Sequence, residues 1–196
     1  MKSPVTTKDS LHKGPESGGH ARVDNRSGQD EIAPASGKSS TAGAQLHMAS
    51  RQRSVTYDHR ELCLLVAAAL PHCLTAAQAL GGPLCHLDHI EFTLVGNRAM
   101  ARIHRDFLEI RGTTDVITFP YGEIIVCAAV ARLRAAEFGH DVTTEIALYC
   151  IHGLLHLAGY DDQNPDDAKL MAREQDRILR LAKSKVARQI KVRRVG

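Results

Sequence analysis

Large apolar residues are nearly absent from the first fifty positions, and then they return in ordered patterns. Residues 1–53 are rich in Ser and Gly, with Lys, Asp and His scattered among them and no period. Such a stretch buries too little surface to offset the entropy of ordering it, and a disordered N-terminal extension is expected. Beyond it, Leu62, Leu65, Val66 and Ala69 share one face of a helix over 58–70, with Pro71 as its stop. Glu91 to Val95 alternates as a strand does, and Met100, Ile103, Phe107 and Leu108 fall at helical spacing over 98–108. The runs 115–119 and 123–127 are rich in β-branched residues and flank Pro120-Tyr121-Gly122, which predicts a hairpin. Helices follow over 128–138, over 142–158 between an Asp141 N-cap and a Gly159 stop, and from Pro165 to about Lys183. For the last of these, Asn164 is the cap, Pro165 suits the first position, and Asp166 and Asp167 complement the dipole.

A leading helix followed by β-α-β-β-α-α-α predicts an α+β fold, with a small mixed β-sheet packed with helices and a short further strand at 55–57. The expected organisation is an extension over 1–53, one domain over 54–183 and a basic tail over 184–196, with Met48 as a second candidate start. The overall charge of +3 hides an asymmetry. Residues 54–176 hold nine Lys/Arg against seventeen Asp/Glu, while residues 177–196 hold eight Lys/Arg and no acid. Acids at Asp9, Glu16, Asp24, Asp30 and Glu31 argue against an organellar transit peptide, and there is no apolar stretch after the first basic residue to read as a secretory signal. The most apolar run, 62–70, is far short of the ~20 residues that span a bilayer, so a soluble protein without a membrane partner is expected. Five cysteines, an odd number with no C-x-x-C pair, read as buried thiols in a reducing cytoplasm.

The chemistry is concentrated in His152-Gly-Leu-Leu-His-Leu-Ala-Gly-Tyr-Asp-Asp162. Two histidines four apart on a helix stand one turn above each other, and both rings can converge on one cation. Gly159 then permits the positive φ at which the chain turns back, and Asp162 arrives as the third ligand. Asp161 competes for that role or caps the turn. The spacing is that of the metzincin H-E-x-x-H-x-x-G-x-x-H site, with Gly153 in place of the glutamate and Asp162 in place of the last histidine. Without the glutamate, the general base of a metallopeptidase is missing. Glu145, two turns before His152, is a weak catalytic candidate: it could orient an imidazole, act as an acid or base, or simply stabilise the helix N-terminus.

These residues also resemble the YbeY family. The 152–162 segment is similar to that family's H-G-x-L-H-x-x-G-Y-D-H signature, Thr114-Asp-Val-Ile-Thr-Phe-Pro120 to its T-D-V-L-S-F-P segment, and Gly122-Glu-Ile-Ile-Val to its G-D-I-hydrophobic run. The resemblance spans roughly 90–181. It implies an α+β fold with a zinc ion on the motif helix, and a cytoplasmic single-strand-specific endoribonuclease acting on rRNA. Maturation of the 16S rRNA 3′ end, ribosome assembly and partnership with the small subunit or its assembly factors are part of what it implies, and DNA is not expected as a substrate.

Two departures matter. Asp162 stands where the family has histidine, and two His with one carboxylate suit Fe(II) or Mn(II) as well as Zn(II). Leu108 stands where the family often has a functional Arg, for which Arg111, a weak catalytic candidate, and Arg105 are nearby substitutes. Three protein ligands would leave a position for water, and the attacking group could be that water or the RNA 2′-hydroxyl. The basic tail could draw RNA to an otherwise acidic domain or serve only solubility. The competing readings are a metzincin-like metallopeptidase and a non-catalytic ribosome assembly factor braced by its metal.

Overall fold

The computed structural model describes residues 5–6 and 44–195. Its strands are β1 (Val5–Thr6), β2 (Gln45–Ser50), β3 (His89–Val95), β4 (Val116–Thr118) and β5 (Glu123–Cys127). Its helices are α1 (His59–Leu80), α2 (Asn97–Leu108), α3 (Ala128–Phe138), α4 (Val142–Ala158) and α5 (Pro165–Val195), with a 3-10 turn at Pro83–His86. The α+β expectation holds. One mixed sheet has the order β1-β4-β5-β3-β2, with β2, β3 and β5 parallel and β4 antiparallel to β5.

Alternation along the strands divides the core in two. Ile90, Phe92 and Leu94 of β3, with Ile124 and Val126 of β5, face the cluster formed with α1, α4 and α5. Ile117, Ile125 and Cys127 face the opposite way, towards Met100 and Ile103 of α2. Each large aliphatic side chain removed from water in this way contributes roughly 1.5–3 kcal/mol. Helix α4 lies at the centre, against α1, α3, α5, β4 and β5, and every residue from Thr143 to Ala158 except Leu148 is buried.

Four expectations need correction. The leading strand is not at 55–57 but at Gln45–Ser50, inside the stretch expected to be disordered; Leu46 and Met48 pack on the core, and Met48 pairs with Phe92. Its few apolar residues suffice because β3 supplies a parallel partner. Of the expected extension, residues 1–4 and 7–43 lie outside the described residues.

Pro71 does not stop α1. Its ring is on the solvent side, and the Ala67 carbonyl that loses its donor belongs to an exposed residue that water can reach. Leu70, Cys73 and Ala77 meanwhile continue the buried stripe. The resulting helix is long and apolar enough to cross a membrane by length and composition, yet here it packs against α4 and α5.

Helix α5 does not end near Lys183 but runs to Val195, so the boundary between domain and tail at 183/184 does not exist as a structural break. No Gly or Pro interrupts 184–195, and cations near a helix C-terminus complement its dipole. Finally, all five thiols are free, but Cys85 is exposed and Cys63 half-buried.

The turn after α1 approaches the end of α4 as closely as backbone allows. A Cβ on Gly82 would lie 2.2 Å from the carbonyl carbon and oxygen of Ala158. Gly82→Ala should therefore cost roughly 2–3 kcal/mol or more in chemical denaturation, since one backbone segment has to move.

Candidate metal centre

Helix α4 begins where Asp141 accepts hydrogen bonds from the Thr143 and Thr144 amides, at 3.2 and 2.8 Å. From that start, His152 and His156 fall on one face, their ring centroids 4.6 Å apart and their planes at 80°. Gly159 ends the helix at φ 104°, and its amide and that of Tyr160 close on the His156 and Leu155 carbonyls at 3.0 Å each. The chain then reverses. Asp161 Oδ1 accepts from the amides of Asp162 (2.7 Å) and Gln163 (3.1 Å), so Asp161 shapes the turn. Asn164 caps α5 by accepting from the Asp166 and Asp167 amides, and its own amide group donates to Asp167.

Asp162 is thereby aimed back at the helix. Its Oδ2 lies 3.5 Å from His152 Nε2 and its Oδ1 3.8 Å from His156 Nε2. One ligand atom from each of the three residues lies within 4.8 Å of the other two. A tetrahedral ion with bonds near 2.1 Å has ligand atoms roughly 3.4 Å apart, so little movement would be needed to hold one.

The outer ring nitrogens fix how the imidazoles present themselves. His156 Nδ1 lies 3.2 Å from the Tyr160 carbonyl oxygen, which can only accept, so Nδ1 carries the proton. His152 Nδ1 is 2.9 Å from Gln175 Oε1 on α5. Both Nε2 atoms are left buried with no hydrogen-bond partner. A buried orphan of this kind costs about 1–3 kcal/mol, and two of them facing one carboxylate match what a cation would relieve.

The electrostatics agree. Burial, reinforced by the charge of His152 and opposed by Asp162, pushes the His156 imidazole down to about 4, so it is neutral at pH 7. For Asp162, burial acts upward, but the His152 and His156 imidazoles outweigh it and hold the carboxyl below its ordinary range. Neutral imidazole and ionised carboxylate are the forms that bind a metal.

The other candidates lie elsewhere in their contacts. Glu145 is only 3 % exposed, but its Oε2 meets His140 Nδ1 at 3.0 Å, and it is Gln175 that engages the His152 ring. Arg105 pairs with Asp106 at 2.7 Å on the surface. Arg111 is exposed and, among the described residues, makes no hydrogen bond or ion pair with the three clustered side chains. Leu108 packs against the α2 side of the sheet. Gln175 escapes a search for metal-ligating residue types. Its only signal is a polar residue in the buried register of α5, between Met171 and Ile178.

Gly153 also acquires a reason. A Cβ there would lie 2.7 Å from Ile124 Cγ2 and 3.0 Å from Thr118 Oγ1, so this side of α4 is pressed onto the sheet. The position that holds glutamate in a metzincin here faces the core.

For the metal-free chain, the depressed His156 value sets a pH dependence. Above about 6.5 the imidazole is neutral whether folded or unfolded; between about 6.5 and 4 only the unfolded chain takes up the proton, so stability falls with pH. Denaturation curves at pH 7.5 and 5 should show a loss on the order of 2 kcal/mol from this group, and His156→Gln should flatten the difference.

Comparison with known proteins gives a consistent picture. The family model described as Endoribonuclease YbeY matches residues 47–183. Proteins named Endoribonuclease YbeY from Mycobacterium tuberculosis and Mycobacterium marinum are each 36% identical over 109 residues. The match takes in 46% of this chain, with 62% of the first relative and 61% of the second. The chain thus spans about 62% of the length of the curated relatives it matches. The solution structure of TM1509 from Thermotoga maritima superposes with a TM-score of 0.50 at 23% identity, covering 74% of this chain and 93% of that one, a likeness of fold. With the family match extending over most of the chain, from within β2 to within α5, this protein belongs to the YbeY family.

Proposed function

We propose that this chain is a metal-dependent endoribonuclease that cuts single-stranded RNA, and that it acts in the cytoplasm on rRNA during 16S 3′-end maturation and ribosome assembly. The family match supports the reaction class. The observation that carries the metal is the pair of buried, unpartnered Nε2 atoms of His152 and His156 facing Asp162. Zinc is the proposed ion, with Fe(II) and Mn(II) as the alternatives that a two-His, one-carboxylate set admits. When bound there, a divalent cation would supply Lewis acidity, making a nucleophile available near neutral pH and offsetting charge on a phosphate.

The protein's own contribution is positioning. Gln175 and the Tyr160 carbonyl hold the two imidazoles in one tautomer and orientation, and the Asp161 turn holds the Asp162 carboxylate opposite them. Burial keeps the His156 ring neutral. Free thiols throughout the chain are compatible with a reducing compartment.

The peptidase reading lacks its glutamate, and the packing of Gly153 against Ile124 gives no room for one. The assembly-factor reading differs in one measurable way, because a metal that only braces the turn would leave no RNA cleavage to lose. Purified protein should contain close to one equivalent of metal and cleave single-stranded RNA. His152→Ala and His156→Ala should abolish both while circular dichroism retains the helical signal; unchanged metal content in either variant would falsify the ligand assignment. Gln175→Ala should keep the fold and weaken metal affinity by roughly 10- to 100-fold in competition with a chelator.

A further inference from the structure

Helix α5 has two faces with different tasks. Met171, Ile178, Leu179, Ala182 and Val186 are buried against the body of the domain. In steps of three and four residues along the opposite side run Arg173, Arg177, Arg180, Ser184, Arg188 and Lys191, all exposed. This row is roughly 27 Å long at 1.5 Å per residue. Arg177 is paired with Glu174 at 2.6 Å, and Asp176, four residues before Arg180, is the last acid: residues 177–196 hold none.

Three observations separate this row from an ordinary solvated face. The helix outlasts its own packing: residues 187–191 are all exposed, and nothing beyond Val186 is buried among the described side chains. Dipole complementation accounts for cations in the last turn only, whereas Arg180 lies fifteen residues, about four turns, before Val195. The row also continues past residue 183, where the family match ends, so Ser184, Arg188 and Lys191 extend it beyond the matched region.

We infer that the outward face of α5, centred on Arg180, Arg188 and Lys191, is a docking surface for the phosphate backbone of structured RNA beside the strand that is cut. This rests on the RNA-cleaving reading for the choice of polyanion. Residues 54–172, before the row begins, carry eight basic against fifteen acidic residues, so a polyanion is repelled there and attracted here. Regularly spaced guanidinium and ammonium groups on a rigid rod displace counterions from phosphates without reading sequence. Gln175 belongs to the same helix, so the element that orients His152 also carries the docking face.

The test is binding, read without cleavage. Fluorescence anisotropy would follow a labelled RNA hairpin with a single-stranded 3′ extension, added to the full-length zinc-loaded protein between about 50 and 200 mM KCl. Wild type should bind with a steep salt dependence. A triple variant, Arg180→Gln with Arg188→Gln and Lys191→Gln, should keep its metal and its thermal transition. It should also lose about tenfold or more in affinity, with a log–log salt slope shallower by roughly two to three. Exchanging the same residues for the other cation (Arg180→Lys, Arg188→Lys, Lys191→Arg) should restore binding. Unchanged affinity and slope in the glutamine variant would overturn the inference. So would retained RNA binding accompanied by lost binding to vesicles of anionic lipid. A wild type that binds RNA through this face and cuts none would instead remove the nuclease reading and leave the surface standing.

Discussion

A helix enclosed on every side that nevertheless carries two imidazoles is the constraint on which this structure depends. Helix α4 touches the sheet and three other helices, so a polar atom on it has to find its partner within the protein. The Nδ1 atoms do so through Gln175 and the Tyr160 carbonyl, while the Nε2 atoms find only the flank of Asp162. Much of the surrounding architecture serves this arrangement. Asp141 fixes where the helix begins, Gly153 seats it on Ile124, Gly82 lets the end of α1 press on its last turn, and Gly159 reverses the chain at the one point from which Asp162 can return.

Local signals made much of this legible. The Asp141 cap, the Gly159 stop and the Asn164-Pro165 start lie in side-chain and backbone chemistry within a few residues, and each appears where the sequence puts it. The convergence of His152, His156 and Asp162 is local in the same sense, spanning one helical turn and one reversal. What escaped depends on partners far away in sequence. Gln45–Ser50 looks unstructured until β3 lies beside it, and Pro71 looks like a stop until its exposed position is known. Gln175 carries no mark of function until α5 is laid across α4. Glu145 shows the converse: helical spacing put it on the face of His152, but His140, five residues before it, takes its carboxylate.

Asp162 in place of a histidine would alter the charge of a metal centre built on these residues. Two neutral imidazoles and one carboxylate would leave a dication held there with a net charge of +1, whereas three imidazoles would leave +2. Leu108, where the family often has arginine, packs instead with Met100 and Ile103 on the α2 side of the sheet. The stretch around the centre, residues 54–176, is acidic, and the densest run of positive charge, eight Lys/Arg with no acid, lies over residues 177–196. Attraction of a polyanion and chemistry upon it would then be assigned to different parts of one molecule.

The antiparallel pairing of Val5 and Thr6 with Thr118 and Ile117 has a further consequence. Strand β4 would otherwise be a margin of the sheet, with free amides and carbonyls able to template the backbone of another molecule. Two residues from the start of the chain cover that margin beside the contact between α4 and the sheet. Among the described residues no strand pairs with the opposite margin, β2, but Gln45, His47 and Ser50 on its exposed positions are polar. Strand addition is thus opposed by occupancy at one margin of the sheet and by well-hydrated polar side chains at the other.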